Sequence, residues 1–365
     1  MLYICSELFM FLYQLIKKNT KFIGLIGMLI LGYLAGTANP VMTTDYAMYN
    51  QQYIISGITG NFYFEHGYSL LGAFFYHLGF NYTQFRTIFA FIIVAIMYIA
   101  VCRYTNNVAL FVSIYGLVCF FNDATQIRNF MMISLVLLGI SFLKEKKLRN
   151  IIIATLLILL SAQFQSSGYY FLLVVLVRLI PKNKLINGFK SIIFGELMLT
   201  AIVLILGKTR LIKILSLVAT PFSGGRENLL LKIENQYVYG ISKGKTILIG
   251  LLVILVIVIS NKLIKPLKEN DLAYILYCGI IVGMFAYPLV FVAIDYSRII
   301  RNAFIFFILL SCLFINRKEI LNINTKNYYS SILNIFLVCL LCMFINYYVW
   351  GPWYQQSIPY IAKLL

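Results

Sequence analysis

Arg86, Arg128, Arg298 and Arg301 each stand within the first turn or so of a long apolar stretch, just after a short polar one. Carrying a charge to that depth of a bilayer costs about 2.5–3.5 kcal/mol or less, and charges found there face a bundle interior or a wet cavity. A guanidinium matches phosphate through a bidentate fork. Four of them converging at one depth make an anion site. The alternative is that each snorkels outward to lipid headgroups.

Acids near these arginines are few. Glu65 opens Glu-His-Gly-Tyr ahead of a short apolar stretch at 65–80. A carboxylate at the mouth of such a segment suits a general base. His66 beside it is a second candidate, whereas His77, inside the stretch, reads as a buried hydrogen-bonding residue. Asp45 and Tyr49 lie four apart, on one face of a short amphipathic helix that Asp45 is placed to cap. Asp123 with Arg128, and Asp295 with Arg298, are each an acid followed by a base at a helix start. They read as ion pairs neutralised at a membrane boundary, as acids orienting an arginine that grips phosphate, or as both.

Other signatures are weaker. There is no Walker P-loop, no His-Glu-x-x-His and no Cys/His zinc spacing, so no metal site is expected. Glu269-Asn270-Asp271 is the nearest approach to an acidic sugar-nucleotide motif, and it reads equally as an acidic helix start. Glu196 sits inside an apolar run and needs a partner that the sequence does not name. Many of the 27 tyrosines border the polar segments. An aromatic belt accounts for most of them, and such faces also suit sugar rings.

The elements that must position these residues follow from composition. Of 365 residues, 61% are apolar and only 12% charged, about half the charge that coats a soluble domain. That excludes a soluble enzyme, a disordered tail and a secreted disulfide scaffold. The net charge of +18 comes in short runs between apolar stretches, unlike the clustered face of a nucleic-acid binder, so no nucleic-acid partner is expected. The first apolar stretch lacks a basic segment before it and a small-residue cleavage site after it, so it is not read as a cleavable signal.

With about 20 apolar residues needed per crossing, eleven spans are expected, near 21–38, 83–103, 106–121, 128–143, 148–161, 166–180, 189–207, 246–264, 271–294, 299–316 and 328–349. Residues 1–16 and 65–80, apolar but short and polar-flanked, fit interfacial or re-entrant segments, and whether they cross is left open. The positive-inside rule then places 18 of the 30 basic residues in the cytoplasm, provided 65–80 does not cross. The whole chain, 1–365, reads as a single all-α transmembrane domain with exterior segments 39–64 and 208–245. The remaining basic residues, Arg210 and Arg226 among them, fall on or beside the exterior.

At these residues the chain resembles the EpsG-like family of bacterial polysaccharide polymerases, relatives of the Wzy O-antigen polymerases. The matching elements are Asp45-x-x-x-Tyr49, Glu65-x-Gly67-Tyr68, Gln126-Ile127-Arg128-Asn129, Ala162 to Ser167, Asp295-x-x-Arg298 and Ile358-Pro359-Tyr360. One departure matters: where the family has Phe-His-x-Ser, this chain has Phe164-Gln165-Ser166-Ser167. Gln165 cannot exchange a proton, but it can hydrogen-bond a sugar or phosphate oxygen.

The resemblance implies a membrane glycosyltransferase of helical C-type architecture in the bacterial cytoplasmic membrane, with its site on the extracytoplasmic side. It implies a polyprenyl-diphosphate-linked oligosaccharide as donor and a second lipid-linked unit as acceptor, with no cofactor. Membrane lipids and the flippase and chain-length regulator of the same pathway are the implied partners. Substitution at an anomeric carbon expels a diphosphate, whose developing charge preorganised arginines stabilise. Arg128 and Arg298 are the expected pair, supported by Arg301 and Arg86, with Arg210 or Arg226 closing from the 208–245 loop as a lid. Glu65 leads as base, ahead of Asp45, Asp295 and His66, while Gln126, Gln165, Tyr49 and Tyr68 line the substrate. A lipid-linked oligosaccharide flippase, an O-antigen ligase and a membrane acyltransferase are the rival readings. No internal repeat of the kind a flippase would show is evident.

Overall fold

In a bilayer every backbone polar group must be satisfied within the protein, which drives apolar runs into helices. A computed structural model describes residues 2–41, 43–219, 243–316 and 324–350, and among them there is no strand. The helices are α1 (Leu2–Ile16), α2 (Lys21–Gly36), α3 (Tyr46–Thr59), α4 (His66–His77), α5 (Tyr82–Tyr104), α6 (Val108–Val118), α7 (Phe120–Thr125), α8 (Ile127–Ser141) and α9 (Leu148–Ala162). After them come α10 (Leu172–Val177), α11 (Lys182–Asn187), α12 (Phe189–Ala219), α13 (Lys243–Ile264), α14 (Asp271–Met284), α15 (Tyr287–Val290), α16 (Ser297–Asn316) and α17 (Thr325–Trp350).

Seven helical stretches are long and apolar enough to cross a membrane: Tyr82–Tyr104, Ile127–Lys144, Phe189–Gly207, Gly244–Leu267, Asp271–Val290, Ile294–Asn316 and Thr325–Val349. The other expected spans are shorter apolar helices, Lys21–Gly36, Val108–Val118, Leu148–Ala162 and Ser166–Val177. The 11 residues of α6 rise about 16 Å, roughly half a hydrocarbon core. A helix can stop at that depth when protein encloses it, and α6 is packed against α1, α2, α16 and α17.

The two ends of the bundle differ. At one, Thr20, Thr105, Asn107 and Asn316 form a hydrogen-bonded belt. Arg103 donates to Ser141, and Arg178 binds the Leu143 carbonyl and the Asp271 carboxylate. At the other end Arg86 donates to the carbonyls of Ala35 and Ala124, tying together the ends of α2 and α7 and the start of α5.

The two ambiguous apolar segments resolve differently. α1 lies lengthwise along α6 rather than flat on the bundle: the Tyr3 hydroxyl donates to the Gly116 carbonyl, while Lys18 reaches the level of Asn107. α4 keeps both ends on the Arg86 side, since Glu65 before it meets Arg128 and the Phe80 carbonyl after it accepts from Tyr53. The expected loop at 208–245 begins as helix instead: α12 continues past Gly207, whose φ of 72° breaks its direction, to Ala219. Residues 220–242 lie outside those described, and with them Arg226 and most of the segment 208–245 expected as a lid. Ile358, Pro359 and Tyr360 lie outside them as well.

Candidate functional site

Four separate segments converge at the Arg86 end. Arg128, the second residue of α8, points toward α3 and α4, where it ion-pairs with Glu65. Its Nε donates to the Tyr49 hydroxyl at 3.2 Å. Its guanidinium lies over the rings of Phe64, Tyr49 and Tyr68 at 4.0, 5.4 and 5.9 Å, a cage that holds the planar cation by cation–π attraction. The second Glu65 oxygen accepts the Ser166 backbone N–H at 3.1 Å. Glu65 precedes α4 but makes no side-chain cap to it, because its carboxylate is turned to Arg128 and Ser166 instead.

Gly67 makes this approach possible. A Cβ there would stand 2.8 Å from both the Cβ and the carbonyl oxygen of Gln163, and that carbonyl accepts the Tyr68 N–H at 3.3 Å. The Glu65-x-Gly67-Tyr68 and Ala162–Ser167 elements are therefore one contact. Gln165, half-buried, sits directly before the Ser166 amide.

A second polar cluster adjoins the first through Gln126. Its Oε1 accepts from Arg301 Nη2 at 2.6 Å. Asn302, next on α16, exchanges two 2.9 Å amide bonds with Asn129. Asn129 also donates to Asp123, which accepts from the Tyr115 hydroxyl at 3.0 Å. In the short helix α7, burial pushes the Asp123 carboxyl up to about 6, against the pull of Arg301. Arg298, one turn before Arg301, pairs with Asp295. The Nε atoms of both Arg298 and Arg301 are buried and lack a partner among the described residues. Arg301 also lines a cavity of about 30 Å³ with Ser297 and Asn346.

Several expectations change. Asp123 does not pair with Arg128. Gln126, between α7 and α8, leaves helical geometry (φ −99°, ψ 61°), and the two side chains face opposite partners. Asp45 does not cap α3: it is exposed, left-handed at φ 66°, and makes no side-chain cap bond. Arg86 is fully buried, with donors spent on Ala35, Ala124 and Tyr82, which is a fastening role within the fold. His66 is exposed, edge-on to Phe62. Arg210 is exposed on α12. Both Glu196 oxygens are buried without a hydrogen-bond partner among the described residues. Sequence reasoning missed Phe64, Tyr115, Asn302 and the Ser166 amide. Asn302 carried a signal, an amide directly after an arginine inside an apolar helix.

No curated protein and no solved structure matches the chain. The EpsG family model does match, over residues 8–362, so the chain belongs to the EpsG family of Wzy-type polysaccharide polymerase and exopolysaccharide biosynthesis proteins.

Proposed function

We propose that this protein polymerises lipid-linked polysaccharide repeat units in the bacterial cytoplasmic membrane, with the Arg128 end of its bundle facing outward. In this reading eleven crossings build a C-type glycosyltransferase scaffold. The terminal hydroxyl of one lipid-linked unit attacks the anomeric carbon of a glycan carried on a polyprenyl diphosphate. A C–O bond forms there, the bond to the diphosphate breaks, and the hydroxyl proton passes to Glu65.

The observation that carries the reading is the Glu65–Arg128 pair, caged by Tyr49, Phe64 and Tyr68 and fixed by the Ser166 amide. A carboxylate bound to an arginine is a poor base until the arginine finds another anion. An arriving diphosphate supplies one: Arg128 shifts its fork to phosphate, and Glu65 is freed beside the acceptor. Arg298 and Arg301, with buried unpartnered Nε groups, receive the developing charge on the leaving oxygens. Asp295 and Gln126 orient them, and Gln165 is placed for a sugar or phosphate oxygen. The pathway's flippase and chain-length regulator are the proposed protein partners.

The test is the length of lipid-linked glycan in a deletion strain. Accumulated single repeat units support polymerisation. Long unattached chains mean a ligase, and units trapped in the cytoplasmic leaflet mean a flippase.

A further inference from the structure

Outside that site, α1, α6, α16 and α17 enclose a cleft of about 930 Å³, near the top of the range of about 300–1,000 Å³ for small-molecule sites. Its walls are mainly apolar. Leu117, Phe336 and Leu340 are 43%, 57% and 44% exposed, so it opens sideways. Among the described residues, the charged one in its lining is Lys18, at the end where α1 finishes. A polar depression of about 250 Å³ shares Lys18 and Asn316 with the cleft and adds Arg103.

The cleft follows from the lengths of its walls. α17 has 26 residues and α6 only 11. Asn346 donates to the Val118 carbonyl at 3.2 Å and closes α17 onto α6 at the site end. Below that bond the two helices part. At the opposite end Asn107 and Asn316 form a polar floor at 3.1 Å. Arg103 is fixed there by Ser141 at 2.6 Å and by the Phe142 ring at 4.1 Å. Lys18 already has another contact within the fold, so the basic mouth as a whole supplies the attraction. An occupant must be apolar along its length and anionic at the Lys18 end, and the sideways opening admits it from the leaflet at that end.

We propose that the cleft holds one anionic phospholipid from the leaflet on the Lys18 side. Its acyl chains lie against Leu117 and Leu340, and its phosphate headgroup sits at the mouth formed by Lys18 and Arg103. A transmembrane helix from another protein is the competing occupant, but it offers no anion to that mouth. The lipid is separate from the glycan carrier, because its headgroup lies at the other end of α6 from Arg128 and Arg301. The proposal therefore stands or falls apart from the polymerase reading.

The test uses the full chain in vesicles of equal phosphatidylglycerol and phosphatidylcholine, extracted in mild detergent and weighed by native mass spectrometry. One retained phosphatidylglycerol is expected, favoured over phosphatidylcholine by about fivefold per basic residue engaged. Lys18→Gln with Arg103→Gln should bring the ratio to near one, while Lys268→Gln, an exposed basic residue elsewhere, should leave it unchanged. Leu117→Trp with Leu340→Trp, both at half-exposed positions, should displace the lipid from a protein that still elutes as a single species. Equal retention of the two lipids by the wild type would overturn the proposal. So would a preference that survives the double charge variant, a lipid that survives both tryptophans, or a co-purifying protein in the cleft with no lipid.

Discussion

Arg128 and Glu65, 63 residues apart in sequence, are joined by an ion pair inside an aromatic cage. Their side chains are 12% and 8% exposed. The pair is thus largely desolvated, and losing one partner costs about 3–5 kcal/mol rather than the 0–1 kcal/mol of a surface pair.

That depth gives a first prediction. Glu65→Gln keeps the size of the side chain and an acceptor for the Ser166 amide but removes the base. Polymerisation in isolated membranes should fall by about 10²–10⁴-fold, with the protein still present in the membrane. Glu65→Ala should also lower the amount of folded protein, read by thermal unfolding in detergent. Glu65→Gln with wild-type turnover would show that Glu65 only anchors Arg128.

The Asn129–Asn302 exchange couples α8 to α16. Asn129→Leu orphans the Asn302 amide and takes a donor from Asp123, while Asn302→Leu leaves Asn129 bonded only to Asp123, each at about 1–3 kcal/mol. Leucine at both positions should cost less than the sum of the single changes. A double-mutant cycle on thermal unfolding measures this coupling, and strict additivity would contradict the reciprocal bond.

Two glycines should respond in opposite ways. Gly67→Ala forces α4 away from the Gln163 backbone, so it should cut polymerisation strongly by displacing Glu65. Gly207→Ala meets no neighbour and pays only for a backbone conformation that favours glycine (φ 72°, ψ 162°), about 1–3 kcal/mol. The assay is polysaccharide length at matched protein levels. Equal effects would mean that the Gly67 approach is not what places the carboxylate.

Asp123 sets a pH dependence. Its folded value of about 6 lies above the ordinary carboxylate value of 3.8, so the folded state holds the proton more tightly than the unfolded state. Its contribution to stability is complete below about pH 4 and is lost as pH rises through 6. The wild type should therefore gain thermal stability over Asp123→Asn as pH falls from 7 to 4. A difference that does not change with pH would contradict this.

Much of this was legible in the chain. Helical class followed from composition, and the arginine positions followed from charge at the start of apolar runs. Glu65 was singled out by type and place. The partners were not legible, because they depend on which way each helix faces. The non-helical turn at Gln126 sends Asp123 toward Tyr115 and Arg128 toward Glu65, and sequence spacing alone favoured pairing the two. Arg86 looked like its neighbours in sequence. Its place in α5 instead turns it inward to carbonyls that only the fold supplies. The span expected at 106–121 is divided into α6 and α7 at Cys119, a break that no residue type in the sequence announces.

The central claim is that Arg128 leaves Glu65 to grip a diphosphate. The direct measurement is surface polysaccharide chain length in a deletion strain carrying Arg128→Ala, Arg128→Lys or Arg298→Ala at wild-type protein levels. Both alanine variants should yield single repeat units, and lysine should rescue Arg128 poorly because it lacks the fork. Wild-type-length chains from both alanine variants would contradict the account.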